Sequence, residues 1–335
     1  MGGMIRLGAK TNLYLLVFMC VAFATGWLAF SYATSQARWS LVVHAVTGLG
    51  LLVLVPWKSL IVRRGMGRPR PRRWLSIVFG VLIVVSLAAG IAHSTGLLTM
   101  AGPLTAMDFH VGAAIAAVPV AVWHVGARRV RIRRVDVSRR DFLKAGLALG
   151  SAATAYAGTE LIVRMTGLPG ATRRFTGSYE AGSFVPENMP VSSWMFDSIP
   201  EVDVAEWKLR VGGRELGYEE LVQFDDREIA TLDCTGGFYS TQEWAGVRLD
   251  RLLGDVTGSS IRVTSHTGYD RRFPREEAGR LLLALRFGGR PLDAAHGYPV
   301  RIVAPSRRGF WWVKWVAAVD VDDLPYWWQS PFPTQ

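Results

Sequence analysis

Cysteine is scarce in this chain, which has two in 335 residues, Cys20 in an apolar run and Cys234 in the second half. No disulfide can form within the second half, so it must be stable through its core. Acidic residues are scarce in residues 1–165, which hold 4 of the 27 Asp and Glu but 19 of the 38 Lys and Arg. Because the basic excess is confined to short segments beside apolar runs, we predict no nucleic-acid partner.

Long apolar runs dominate the first half. Five segments have the ~20 apolar residues that a helix needs to cross a bilayer: residues 12–33, 39–57, 74–98, 109–127 and 142–163. The Arg-rich loops at residues 58–73 and 128–140 are expected on the cytoplasmic side. We therefore predict a multi-pass cell-membrane protein in contact with lipid, with a cytoplasmic N-terminus and a periplasmic or extracellular C-terminal domain.

The sequence SRRDFLK at residues 138–144, followed by apolar residues, is typical of a twin-arginine export signal, here inside the chain. That pathway moves folded proteins, which suits a domain that takes up a cofactor before export. The alternative is an arginine pair that merely closes a cytoplasmic loop. The sequence AYA at residues 155–157 would fit a cleavage site, but the apolar run continues to residue 163, which favours a retained anchor.

Four of the six histidines lie in the predicted spans, where ionisable side chains are costly and usually functional. On the predicted topology, His44, His93 and His110 cluster at the outer leaflet. We predict one b-type haem with two histidine ligands there, with His44 and His110 as the first choice and His93 as the competitor. The alternative is that these histidines only bond across the helix bundle.

His124 follows His110 by 14 residues, about 21 Å along nearly the same helix face. This spacing resembles that of diheme b-type cytochromes. The matching positions after His44 and before His93 hold Lys58 and Phe79, so a second haem has no evident partner ligand. His124 is therefore interpreted as a boundary residue.

Short apolar runs of strand type, such as residues 207–211 and 261–264, follow residue 175 and are separated by glycine and acidic turns. Short helices are expected around residues 218–223, 249–253 and 274–284. The mixture predicts an α+β domain with a mixed sheet. No internal repeat is visible in the sequence.

The segment LDCTGGFYSTQEWAGVRLDRLL at residues 232–253 places Cys234 in a Gly-rich turn after a strand, a pattern that indicates a metal thiolate. The alternative is a buried, inert cysteine. A second segment, HGYPVRIVAPSRRGFWWVKWVAAVDV, covers residues 296–321. Together the two segments resemble the molybdopterin domain shared by sulfite oxidases and the bacterial protein-methionine-sulfoxide reductase, over roughly the last half of the chain.

The resemblance implies a sulfite-oxidase-type fold with Mo-molybdopterin, in which Cys234 ligates the metal beside two dithiolene sulfurs. It implies a catalytic role for Tyr269 and places Arg301 and Lys314 at the phosphate or pterin, the alternative being solvated surface residues. The other implied cofactor-binding residues are Asn188, Val191, Ser192, His266, His296, Trp312 and Val313.

Sulfite oxidases carry an arginine five residues after the cysteine that helps bind sulfite, whereas this chain has Tyr239. Reduction of a sulfoxide is therefore slightly favoured over sulfite oxidation. Two pairs of consecutive arginines, at positions 271–272 and 307–308, are candidates for an anion pocket. The alternative is that these arginines are solvated surface residues. Because the chain stops soon after WVKW, we expect a monomeric module without the C-terminal dimerisation domain of sulfite oxidases.

These observations predict a cytochrome b-like four-helix membrane domain at residues 1–137, a signal and fifth anchor helix at 138–165, and a molybdopterin-binding oxidoreductase domain at 166–335. The expected activity is oxygen-atom transfer on a small-molecule or protein sulfoxide. Electrons are exchanged through the haem with a quinone or another membrane donor or acceptor. The alternatives are a haem-binding electron-transfer protein with a non-catalytic soluble domain, a sulfite-oxidising enzyme, and a tethered module without cofactors.

Overall fold

The computed structural model describes residues 2–66, 71–101, 104–127, 139–192, 198–254 and 256–330. The chain divides into two compact units, each described by itself below. The first comprises residues 1–30 and 35–177, and the second comprises residues 31–34 and 178–335.

The first unit is helical. Its elements are α1 (Gly2–Ser31), α2 (Ala37–Val53), α3 (Val55–Met66), α4 (Arg73–Thr95), the strands β1 (Met100–Ala101) and β2 (Leu104–Thr105), α5 (Ala106–Ala127) and α6 (Arg139–Met165). The helix α2 packs along α6, and α4 packs along α5. Gly50 of α2 lets α1 approach closely, since a Cβ there would lie 2.5 Å from the Phe18 ring.

Three described helical segments are long and apolar enough to span a membrane, namely Lys10–Ser31, Arg73–Thr95 and Ala106–Ala127. The pair α2 and α3 adds a fourth if the two helices, bent by 41°, form one span. The bend comes just before Pro56, which has no N–H for the carbonyl four residues earlier. The predicted fifth span, residues 142–163, does form part of α6, but small and polar residues lower its hydropathy. A count of about five spans is therefore not confirmed among the described helices.

The second unit mixes strands with short helices. In chain order they are β3 (Tyr179–Glu180), β4 (Lys208–Val211), β5 (Arg214–Gly217), α7 (Tyr218–Leu221), β6 (Asp226–Asp233), β7 (Phe238–Arg248), α8 (Leu249–Leu253), β8 (Ser260–Ser265), β9 (Asp270–Pro274), β10 (Leu282–Phe287), β11 (Arg290–Pro291), β12 (Arg301–Val303) and β13 (Val316–Asp322). The predicted helix at residues 274–284 is wrong at its end. A 3₁₀ helix, Arg275–Arg280, is followed by β10, which is buried along nearly its whole length.

These strands form two sheets. One runs β11-β10-β7-β3, with β12 also paired to β10 and β6 to β7; the other runs β5-β4-β13-β8-β9. The β3–β7 and β4–β13 pairs are parallel and the others antiparallel, so the predicted mixed sheet is confirmed. The core includes a stack of Trp244 on Phe287 at 5.5 Å between ring centroids, with Trp312 edge-on to Trp244.

Candidate functional site

The turn between β6 and β7 presents Cys234. It is closed by the Cys234 N–H, which donates to the Phe238 carbonyl at 2.8 Å, and by the Gly237 N–H, which donates to the Cys234 carbonyl at 3.2 Å. Gly237 has φ of 101°, a conformation that favours glycine. The Gly-rich sequence after the cysteine is thus needed for the turn, which holds the Cys234 side chain in a buried position.

Two groups contact the Cys234 sulfur. The Ser192 hydroxyl lies 3.1 Å from Sγ, and the Gly236 N–H donates to Sγ at 3.3 Å. Burial raises the pKa of the Cys234 thiol, while the bonds from Ser192 and Gly236 and the charge of Arg308 lower it. A metal cation at the sulfur would reverse this balance, because it stabilises the thiolate directly.

The loop that contains Arg308 packs beneath Cys234. A Cβ on Gly309 would lie 3.1 Å from Cys234 Cα, so the loop backbone touches the cysteine backbone. The Arg308 guanidinium donates to the Cys234 carbonyl at 2.8 Å and pairs with the buried carboxylate of Asp233 at 3.4 Å. Arg308 therefore braces the cysteine turn, a role that the sequence did not reveal.

Lys314 links two segments that are far apart in the sequence, one that ends at Ser192 and one that contains Ala295. Its Nζ donates to the carbonyls of Ser192 at 2.8 Å and Ala295 at 2.7 Å. His296, in the adjoining 3₁₀ helix, lies with Nδ1 2.7 Å from the Asp293 carboxylate and Nε2 3.2 Å from the Met189 carbonyl. Burial alone would raise the pKa of Asp293, but its hydrogen bonds with His296 produce a net lowering.

Arg301 is a buried cation, 1% exposed, that has no carboxylate partner in the described part of the chain. It donates to the His296 carbonyl at 3.0 Å and lies over the Trp244 ring at 5.1 Å, while its Nε finds no acceptor among the described residues. Burial lowers its pKa to about 9, and the electrostatic effect of Cys234 and Asp293 opposes that shift. A buried guanidinium in this state suits an anionic ligand.

The structure brings together five of the residues that the sequence singled out: Ser192, Cys234, His296, Arg301 and Lys314. The Trp312 indole donates to the Arg307 carbonyl at 3.2 Å, and the Val313 carbonyl accepts from the Ile302 N–H at 2.8 Å. Both residues are buried in the core directly before Lys314.

The remaining predicted residues have other surroundings. Asn188 and Val191 are exposed on the segment that ends at Ser192, and His266 is exposed while its N–H donates to the Trp315 carbonyl at 2.7 Å. Tyr269 is half-buried. Its hydroxyl donates to the Phe310 carbonyl at 2.5 Å and accepts from Arg271 Nε at 2.8 Å.

The helical unit holds a second constellation, the rings of His44 and His110. Their centroids are 5.6 Å apart and their planes nearly perpendicular, at 87°. His44 Nδ1 lies 2.7 Å from the Ala22 carbonyl and His110 Nδ1 lies 2.7 Å from the Ser86 carbonyl. A carbonyl only accepts, so each Nδ1 carries the proton and each Nε2 keeps its lone pair.

Each of these two rings lies against a glycine. A Cβ on Gly26 would lie 2.8 Å from His44 Nδ1, and a Cβ on Gly90 would lie 2.8 Å from His110 Nδ1. Each glycine stands four residues after the carbonyl that its histidine contacts, in the same helix. The missing side chains therefore provide the space for both rings.

His93 and His124 have other surroundings. His93 Nε2 lies 2.9 Å from the Gly177 carbonyl, so this nitrogen is already engaged. His124 Nδ1 lies 3.2 Å from the Ser76 hydroxyl, and its ring packs on Phe79 at 5.2 Å between centroids. Phe79 thus fills the space beside His124.

The same contacts recur in the two halves of the helical unit. The contact of His44 with the Ala22 carbonyl corresponds to that of His110 with the Ser86 carbonyl. In the same way, the bond from Lys58 Nζ to the Asn12 side chain, at 2.9 Å, corresponds to the contact of His124 with the Ser76 hydroxyl. Asn12 lies ten residues before Ala22, and Ser76 lies ten before Ser86. Lys58 and His124 each lie 14 residues after the histidine that joins the pair. This internal repeat was missed at the sequence level, where only the His and Gly spacings could have signalled it.

Residues 196–327 match the family model described as the oxidoreductase molybdopterin binding domain. The match lies in the second unit and includes Cys234, Arg301 and Lys314. It covers less than half of the chain.

Several known proteins are similar to the same region. Mitochondrial sulfite oxidase of Rattus norvegicus is 29% identical over 167 residues, 37% of this chain and 30% of that protein. The Homo sapiens protein is 29% identical over 165 residues with the same coverage. A NADH nitrate reductase of Brassica napus is 27% identical over 169 residues, 37% of this chain and 19% of that protein. The chain spans less than a third of the length of these curated relatives.

Among solved structures, the sulfane dehydrogenase SoxCD from Paracoccus pantotrophus is 25% identical to this chain. The match covers 38% of this chain and 40% of the SoxCD chain, with a TM-score of 0.36.

Proposed function

We propose, on the premise that residues 196–327 form an oxidoreductase molybdopterin-binding domain, that this chain is a membrane-anchored molybdopterin-dependent oxidoreductase. Its reaction is oxygen-atom transfer in the second unit, with electrons exchanged through a b-type haem in the helical unit. The observation that carries the proposal is the buried Cys234 thiol beside the buried Arg301 cation, whose Nε finds no acceptor in the described structure.

The residues around Cys234 fit the cofactor. Cys234 would be the protein ligand of molybdenum, and Ser192 and Gly236 hold its sulfur in place. Arg301 supplies a fixed positive charge for the phosphate or pterin, and Lys314 supplies a second one from the opposite segment. When bound, molybdenum supplies a centre that exchanges two electrons together with an oxygen atom.

Other residues would orient groups at the site or exclude water from it. Asp293 holds the His296 ring against the Met189 carbonyl, so His296 fixes the position of the segment that leads to Ser192. The aromatic core at Trp244 and Trp312 keeps water from the face of the Arg301 guanidinium. The Tyr269 hydroxyl, held by Arg271 and the Phe310 carbonyl, is the catalytic proton donor or acceptor for the substrate oxygen.

The histidines of the helical unit fit a haem. A histidine that ligates a metal through Nε2 commonly donates its other N–H to a carbonyl, which fixes the tautomer. His44 and His110 both have this arrangement, and their ring centroids lie 5.6 Å apart. A haem held by these two histidines would supply one-electron transfer. We assign His93 a packing role, because its Nε2 contacts the Gly177 carbonyl.

The membrane topology follows from the helices and the charges. The three apolar helices and the bent α2–α3 pair are the proposed spans, and α6 is the anchor before the exported domain. The Arg-rich loops support a cytoplasmic N-terminus and a second unit in the periplasm or outside the cell. The twin-arginine signal begins at Ser138, which lies outside the described residues, and exports the folded domain. The partner in electron exchange is a membrane quinone or a comparable carrier.

The proposed substrate class rests on the chemistry at one position. Tyr239 stands where sulfite oxidases carry the sulfite-binding arginine, which favours reduction of a sulfoxide or a related oxide. In that direction, a haem held by His44 and His110 would receive electrons from the membrane carrier, and molybdenum held by Cys234 would receive them in turn.

Metal analysis and visible spectroscopy on detergent-purified full-length protein test this function. We expect near-stoichiometric molybdenum and a b-type reduced-minus-oxidised spectrum. Cys234→Ala should lose the molybdenum and keep the haem, and Cys20→Ala, the matched control, should keep both. His44→Ala and His110→Ala should lose the haem band and keep the molybdenum. Haem without molybdenum in the wild type would instead support an electron-transfer protein.

A further inference from the structure

A short segment from the N-terminal half of the chain belongs to the second unit. Residues 31–34, the last residue of α1 and the three that follow it, cluster with residues 178–335. We call these four residues the inserted segment. Two of its residues, Ser31 and Ala33, are buried, at 3% and 7% exposed. The domain predicted at residues 166–335 therefore lacks a part of its own fold.

The inserted segment pairs through its backbone with the loop that contains Arg308. The Ala33 N–H donates to the Ser306 carbonyl at 3.0 Å, and the Arg308 N–H donates to the Ser31 carbonyl at 3.4 Å. Backbone pairing of this kind gives an extended segment a fixed register on its partner. The inserted segment is thus attached to this loop at one defined position.

The side chains of the same pairing add a second contact. Tyr32 lies opposite Arg307 in an antiparallel bridge, and its ring centroid lies 5.7 Å from the guanidinium carbon of Arg307. A guanidinium within about 6 Å of an aromatic ring centroid is attracted to the ring. The Arg307 guanidinium also donates to the Glu277 carboxylate at 2.7 Å. Both the backbone and the side chain of Arg307 are therefore held in place.

The paired loop has a conformation that needs support from its surroundings. Ser306 has φ of 68°, in the left-handed region that residues other than glycine rarely adopt. Such a conformation persists where neighbouring contacts determine it. The Ser306 carbonyl accepts the N–H of Ala33, so the inserted segment supplies one of these contacts.

The same loop braces the proposed metal ligand. The Arg308 guanidinium donates to the Cys234 carbonyl at 2.8 Å, and the Arg308 backbone forms a parallel bridge with Asp233. A Cβ on Gly309 would lie 3.1 Å from Cys234 Cα. A chain of printed contacts therefore leads from the inserted segment through Arg308 to the cysteine turn.

We propose that the inserted segment positions Cys234. Tyr32 and Ala33 hold the loop at residues 306–308, and this loop holds the cysteine turn through Arg308. The inference rests on the proposed function for the role of Cys234 as a metal ligand. It extends that function, because the molybdenum site is complete only when the end of α1 contributes to the second unit.

The reactivity of the Cys234 thiol tests the positioning role. The full-length protein is produced without molybdopterin and carries Cys20→Ser, so that Cys234 is its only cysteine. A buried thiol reacts with iodoacetamide only when its surroundings open, so the alkylation rate measures how often the turn opens. This Cys20→Ser protein is the reference for all variants.

Two variants loosen the inserted segment in different ways. Ala33→Pro removes the N–H that bonds to Ser306, and Tyr32→Leu removes the ring beside Arg307. We expect each to raise the alkylation rate about 3- to 10-fold, the usual worth of one such contact. Tyr32→Phe keeps the ring and should match the reference. Tyr32→Leu alone decides the test if Ala33→Pro does not fold.

Phe224→Leu separates positioning from a general loss of stability. Phe224 is also a half-buried ring beside a guanidinium, that of Arg251 at 4.9 Å. It lies just before β6, whose other end leads to Cys234, roughly 25 Å away along the strand. Phe224→Leu should lower the midpoint of thermal unfolding as Tyr32→Leu does, but leave the alkylation rate unchanged. An equal rise of the rate in both variants would overturn the inference.

Molybdenum content distinguishes this inference from the proposed function. It is measured by mass spectrometry on wild-type protein matured with the cofactor. A wild type without molybdenum would refute the proposed function alone, because alkylation is measured without the cofactor. Alkylation rates in Tyr32→Leu and Ala33→Pro equal to that of the reference would refute the positioning role alone.

Discussion

Gly90→Ala tests the histidine arrangement in the helical unit. The added methyl would lie 2.8 Å from His110 Nδ1 and 3.0 Å from Cε1, so the ring must move away from the Ser86 carbonyl. Alanine gains about 1 kcal/mol of helix propensity over glycine. The lost hydrogen bond costs about 1 kcal/mol and the overpacking about 1–3 kcal/mol. We expect a net loss of about 1–3 kcal/mol in the free energy of unfolding, from these combined terms.

The matched control is Gly80→Ala in the same helix, α4. A Cβ at Gly80 meets nothing within 4 Å, so only the propensity gain remains. Its free energy of unfolding should rise by up to about 1 kcal/mol. Both variants and the wild type are compared by thermal unfolding in one detergent.

The haem spectrum provides an independent readout of the same change. Displacing His110 should reduce the b-type band in Gly90→Ala and leave it intact in Gly80→Ala. If Gly90→Ala matched Gly80→Ala in both stability and spectrum, the account of a glycine that seats a ligand histidine would be refuted.

Three further predictions concern the second unit. Gly246→Ala should lower the free energy of unfolding by more than about 3 kcal/mol, measured by thermal unfolding. The reason is that the added Cβ would lie 1.9 Å from the Leu283 carbonyl oxygen across the β7–β10 pair. A loss below about 1 kcal/mol would contradict this packing. Arg301→Met should abolish molybdenum binding, measured by mass spectrometry, while cofactor-free protein loses no stability, since an unpaired buried cation is removed; retained molybdenum would refute the assignment. Burial would raise the pKa of Asp322, but its hydrogen bond with Arg272 produces a net lowering. The wild type should therefore be more stable than Asp322→Asn near neutral pH, and this advantage should disappear as the pH falls through the lowered pKa. An advantage that grows in acid would contradict the sign.

The cysteine turn could be predicted from the sequence because its determinants are local. A strand, a cysteine and consecutive glycines specify the β6–β7 connection, and Gly237 takes the positive φ that the turn needs. The bracing by Arg308 could not be predicted, because it depends on a loop 74 residues later in the chain.

The repeat in the helical unit escaped sequence analysis for a physical reason. The contacts of His44 and His110 use the backbone carbonyls of Ala22 and Ser86, so the side chains at those positions are free to differ. At the second pair of matching positions, Lys58 bonds to Asn12 and His124 bonds to Ser76, so different polar residues make equivalent contacts. Only the glycines and histidines keep their identity, which is too few residues for a visible repeat.

The helices that could span a membrane were predicted by length and hydropathy, which identify α1, α4 and α5 well. The break between α2 and α3 depends on the backbone around Pro56, and a hydropathy window averages across it. The helix α6 has the length of a span, but its glycine, serine and threonine content lowers its hydropathy. Hydropathy alone therefore does not determine its relation to the membrane.

The most direct test of the central claim is the number of sulfur atoms around molybdenum, measured by X-ray absorption at the molybdenum edge. Three sulfur neighbours are expected in the wild type, two from the dithiolene and one from Cys234. Cys234→Ser should retain some molybdenum with one sulfur neighbour fewer, and Cys20→Ser should match the wild type. An unchanged sulfur count in Cys234→Ser would show that Cys234 is not the ligand and would contradict the account.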